Sequence, residues 1–105
     1  MKYLLSVFTL LSVSAMAAEP EYILVIKDHK FEPTEIKIPA GKKIKLKIVN
    51  KDDTPEEFHS DDLKREKVMM GNKSVITYIG PLAPGRYKFM GEFHESTAKG
   101  VVVVE

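Results

Sequence analysis

The 105-residue chain contains no cysteine. This excludes a disulfide framework, a thiolate nucleophile and any metal centre built on thiolate sulfur. Small exported domains commonly depend on such staples. Here the hydrophobic core must carry the fold, with a bound metal as the remaining kind of staple. Charge of one sign is also missing: 16 basic residues stand against 15 acidic ones, so the electrostatic footprint expected for nucleic acid is not there. The few serines lie in no nucleophile elbow, and no glycine-rich phosphate loop occurs. The chain is therefore expected not to be an enzyme. Low complexity, linkers and structural repeats are absent, and the length leaves room for one domain.

The longest apolar run, residues 3–13, is broken by Ser6, Thr9 and Ser12 and is too short to span a bilayer. With the positive start Met1-Lys2 before it and Ala15-Met16-Ala17 after it, it has the three-part layout of a cleavable secretory signal. The expected division is a signal peptide at 1–17 and a domain at 18–105, exported to the periplasm and not membrane-spanning once cleaved. Setting Lys2 aside makes the exported part formally neutral.

The rest of the chain reads as short strands between turn signals, with no amphipathic helix. Residues 22–27, 35–39, 43–50, 74–79, 86–90 and 100–104 are β-branched or alternating, with Phe31-Glu32-Pro33-Thr34 as an interruption between the first two. Ala40-Gly41, the polar stretch 51–55, Gly71-Asn72 and 81–85 punctuate them. The segment 61–67 has room for one helical turn but lacks an apolar stripe. The lysines at 43, 45 and 47 alternate with Ile44, Leu46 and Ile48, which describes a strand with a wet lysine face. Val101 to Val104 do not alternate, so that strand is expected to be buried on both faces or pressed into the core. The pattern indicates an all-β, Greek-key β-sandwich.

Glu-Phe-His occurs twice, at Glu57-Phe58-His59 and Glu92-Phe93-His94. In extended chain, residues two apart point the same way, so each tripeptide would offer a carboxylate and an imidazole on one side. Each follows a strand, and strands running the same way would bring both tripeptides to one end of the sandwich. Glu57, His59, Glu92 and His94 would then form a mixed nitrogen and oxygen donor set suited to Cu(II), iron or zinc. Glu56, the lone loop histidine His29, and Met90 are the further candidate ligands. The acids Glu56, Glu57, Asp61 and Asp62 crowd His59 and should raise its affinity for protons. Phe58 and Phe93 are expected to pack in the core or at its rim.

Lys30-Phe31-Glu32-Pro33, Ile38-Pro39-Ala40-Gly41, Pro84-Gly85-Arg86-Tyr87-Lys88-Phe89 and the closing Lys99-Gly100-Val101-Val102-Val103-Val104 together resemble a cupredoxin over nearly all of the exported part. The resemblance implies copper held by a histidine after the third strand and by a Cys…His…Met loop near the end. His59 lies in the region of the first histidine and His94 matches the second. The cysteine position falls on Gly91 and the methionine near Ala98, so an ordinary blue copper centre is not expected. Thr54-Pro55-Glu56-Glu57-Phe58-His59-Ser60, Gly80-Pro81-Leu82 and Gly91-Glu92-Phe93-His94 are similar to the cupredoxin-like domain of EfeO-type periplasmic iron-uptake proteins, whose acidic metal motif falls on Glu57 and His59. That likeness implies a copper- or iron-binding protein working with an inner-membrane transporter or another uptake component. A non-blue copper redox protein and a metal-free interaction module are the other readings.

Overall fold

The computed structural model describes residues 20–105; the expected signal peptide and its cleavage point lie outside them. Two sheets pack face to face. One takes β1 (Glu21–Lys27), β2 (Lys30–Glu32), β4 (Ile44–Asn50) and β7 (Ser74–Ile79) in the order β2-β1-β4-β7. The other takes β3 (Glu35–Ile38), β5 (Glu56–Ser60), β6 (Arg65–Met69), β8 (Gly85–Gly91) and β9 (Lys99–Val104) in the order β3-β9-β8-β5-β6. The chain crosses repeatedly between the sheets, as in a Greek-key sandwich. No α-helix occurs among the described residues.

Binary patterning accounts for most of this. β4 alternates fully, burying Ile44, Leu46, Ile48 and Asn50 while Lys45, Lys47 and Val49 stay half-exposed. β1 contributes Leu24 and Ile26 to the same core, and β9 contributes Val102 and Val104 from the opposite sheet. Phe89 packs edge-on to Phe31 at 5.1 Å and beside Phe58 at 5.3 Å, which fills the space between the sheets. Gly100 lies under the Phe89 ring, where any Cβ would overlap it.

Both sheets are mixed, because β1 runs parallel to β4 and β3 parallel to β9. The parallel pair brings the ends of β1 and β4 to one end of the sandwich. There the tight turn at Asp28-His29 meets the loop after Asn50. Asp52 ties the two together by accepting the amides of Asp28 (2.7 Å) and His29 (3.0 Å).

Three local expectations change and a fourth narrows. Residues 61–64 form a turn, and 65–69 form an edge strand paired with β5, so there is no helical turn in this segment. Phe31, placed by sequence in an interruption, sits in the short strand β2 and is buried. β9 is not buried on both faces; it is pressed into the core by one face, which buries Val102 and Val104 and leaves Val101 and Val103 half-exposed. Glu92–His94 is a 3₁₀ turn, not extended chain.

Candidate metal centre

Alternation along β5 decides where the acidic motif goes. Glu56, Phe58 and Ser60 turn inward and are buried, whereas Glu57 and His59 turn outward. The antiparallel register sets Glu66 of β6 opposite His59 on one side and Met90 of β8 opposite it on the other. His59 therefore sits in the middle of a three-strand strip on the outer face of the five-stranded sheet.

Carboxylates surround that ring. Nε2 donates to Oδ1 of Asp61 at 2.9 Å. Nδ1 faces Oε1 of Glu66 at 3.2 Å, Oε1 of Glu57 at 3.9 Å and Oε2 of Glu92 at 3.9 Å. It meets none of them in hydrogen-bond geometry, and the atom is buried. Donor atoms of Glu57, His59 and Glu66 lie within 4.8 Å of one another. Among the described residues, no lysine or arginine lies within 4 Å of these carboxylates. The Asp61 hydrogen bond, helped against burial by the charges of Asp61, Glu92 and Glu66, holds the His59 imidazole above its usual 6.5. Glu57 is 18 % exposed while Glu66 is 67 % and Asp61 91 % exposed, so the cluster has a shielded floor and an open rim.

A second cluster lies at the end of the sandwich. The 3₁₀ turn carries His94 inward, where its Nδ1 hydrogen-bonds Oε2 of Glu56. Oε1 of Glu56 accepts the amides of Glu57 (3.0 Å) and Phe93 (2.9 Å). His29 stacks on His94 with ring centroids 3.5 Å apart and planes 12° from parallel. A Cβ on Gly91 would lie 2.6 Å from Cβ of Ala98 and 2.8 Å from Cδ of Glu56. Gly91, His94, Ala98 and Glu56 thus converge on one point. Nearby, burial alone would raise the Asp52 carboxyl. The amides of His29 and Asp28, with the two imidazoles, outweigh it and hold the group below its usual 3.8.

The single site expected from the two tripeptides therefore divides. Glu57, His59 and Glu92 face outward with Met90 beside them, while Glu56, His94 and His29 gather at the sandwich end. The physical reason is double: neighbouring residues of a strand point to opposite faces, and a 3₁₀ turn does not send residues two apart in the same direction. The place expected for the first copper histidine also changes occupant, because Glu56, not His59, meets His94 beside Gly91. Of the remaining predictions, Phe58 is fully buried, Phe93 is 49 % exposed, and Asp62 serves β8 by accepting the Lys88 amide at 2.8 Å. Met69 is a core residue and Met70 is exposed. Glu66 was not singled out from the sequence; only pairing 65–69 against β5 as a strand reveals it.

Comparison with known proteins fits this architecture. An uncharacterized protein of Rickettsia prowazekii (strain Madrid E) is 48% identical over 84 residues, covering 80% of this chain and 67% of that one. Auracyanin A, a "blue" copper protein from Chloroflexus aurantiacus, superposes with a TM-score of 0.70 at 14% identity, covering 82% of this chain and 98% of its own. Amicyanin from Paracoccus versutus superposes with a TM-score of 0.61 at 21% identity and covers 87% of each chain. At such identities the likeness is one of fold. The model of the cupredoxin-like domain family matches residues 2–104, and the chain belongs to that family.

Proposed function

We propose that this chain is an exported cation-binding protein whose cargo is Cu(II) or an iron ion. The cargo is held at Glu57, His59 and Glu66, with Glu92 within reach. One observation carries the reading: the buried Nδ1 of His59 has no hydrogen bond and looks onto three carboxylates. A mixed imidazole and carboxylate set suits Cu(II), iron and zinc, and a cation there would relieve both the unpaired nitrogen and the mutual repulsion of the acids. The open rim favours a carrier that takes up and passes on an ion over a protein that keeps one permanently. The sequence likeness to EfeO-type domains extends this to a place in periplasmic iron or copper uptake, handing the ion to an inner-membrane transporter or another uptake component. No helix among the described residues is long and apolar enough to cross a membrane.

A second reading, a non-blue copper redox protein, is favoured by Met90, whose cross-strand place beside His59 adds a thioether of the kind that suits Cu(I). Titrating metal-free protein with Cu(II), ferric iron and Zn(II) separates the readings. The carrier binds one ion per chain and gives only a weak d–d band with copper, since no thiolate is present. A reversible copper couple would move the assignment to redox work. Failure to take up any of the three ions would leave an interaction module.

A further inference from the structure

At the sandwich end the residues do not fit the copper ion implied by the fold family. Gly91 and Ala98 offer no donor atom. The space beside Gly91 is already taken: a Cβ there would meet Ala98 and the Glu56 carboxylate, at 2.6 and 2.8 Å. Glu56 is 2 % exposed and both its oxygens are engaged, Oε1 by two backbone amides and Oε2 by His94. The two imidazoles cannot chelate together either. A ring nitrogen binds a metal in the ring plane at about 2 Å, and parallel rings with centroids 3.5 Å apart direct their lone pairs side by side, not toward one point.

We infer that the Glu56 carboxylate replaces a metal at this end of the sandwich, closing the position to ions and fastening the turn after β8 to β5. The contacts carry this directly. Through one side chain Glu56 holds Nδ1–H of His94, the amide of Phe93 and the amide of its own neighbour Glu57. These are the turn and the strand that a metal held between Glu56 and His94 would bridge. An ionised carboxylate is acceptor-only, so the His94 proton sits on Nδ1, the nitrogen pointing at Glu56. Charge-assisted hydrogen bonds of this kind are the strong ones, and a fully satisfied buried network fixes one geometry. Three further contacts complete the lock: the His29 ring stacks on the His94 ring, the Ala98 amide donates to the His94 carbonyl at 2.9 Å, and the Gly91 amide donates to the Ala98 carbonyl at 2.9 Å. The inference stands on this geometry and does not require the outer-face cluster to bind anything.

The test is nitrogen-resolved NMR of the histidine rings, using metal-free protein titrated with Zn(II). Before any metal, His94 should show a slowly exchanging Nδ1–H resonance, and Glu56→Gln should shift it strongly or abolish it. At one equivalent of Zn(II) the His94 and His29 ring signals should stay in place. If the His59 ring signals alone move, both this inference and the cargo site hold. If no ring signal moves, the cargo site fails while the closed position stands. Absence of the Nδ1–H resonance from metal-free protein, or its loss at the first equivalent of Zn(II), would overturn the inference.

Discussion

His59 is the residue where proton and metal compete. Its imidazole is held above the usual 6.5, first by the Asp61 hydrogen bond, so protonated His59 stabilises the folded chain. That contribution is fully present below the unfolded value of about 6.5 and is lost as pH rises through the higher folded value. Metal works in the opposite direction, because it needs the deprotonated nitrogen. In chelator the melting temperature should therefore fall as pH is raised from 6 to 8, and the increment added by Zn(II) should grow over the same range. His59→Ala should flatten both dependences; a pH-independent metal increment would contradict the role given to this ring. Glu66→Gln should weaken binding by at least the roughly 10–100-fold that even outer partners of a metal site cost. Dialysis against a competing chelator measures that loss. The sequence pointed to Glu57, His59 and Glu92 because a repeated tripeptide is visible without structure. It did not point to Glu66, whose place depends entirely on which residue faces it across a strand pair.

A strand with a wet and a dry face, such as β4, announces itself by alternation, whereas β7 is legible only as a β-branched run, since it exposes Ile76 and Tyr78 and buries Thr77. β6 does not, because as an edge strand it exposes Glu66, Lys67 and Val68 in succession and buries only Met69. β2 is three residues long and the 3₁₀ turn is another three, both too short to show a period. That is why the pattern predicted the sandwich while the two clusters stayed merged. The end of β8 offers an element-level check. Gly91→Ala would push a methyl against Ala98 and Glu56 and should destabilise by about 1–3 kcal/mol, the usual cost of overpacking. The loss should appear as a lower denaturant midpoint. A neutral effect would mean that the space beside Gly91 is open, which would undercut the closed position at the sandwich end.

For the molecule as a whole, the missing cysteines leave the fold resting on its core and on the Glu56–His94 link. A cation bound only by the folded state should add roughly 2.7 kcal/mol at a hundredfold excess over its dissociation constant. The expected export signal makes a separate forecast: protein from the periplasm should begin at Ala18, which intact-mass measurement reads directly, whereas a mass that includes residues 1–17 would mean a retained anchor. Because the two histidines of the repeated tripeptide lie in different clusters, their replacements should act independently, not as partners in one site. Calorimetric titration of Cu(II) into the parent, His59→Ala and His94→Ala proteins puts this to the test. The parent and His94→Ala should each bind one ion with comparable affinity, and His59→Ala should lose it. Binding that survives His59→Ala and disappears with His94→Ala would place the ion at the sandwich end and contradict the outer-face site.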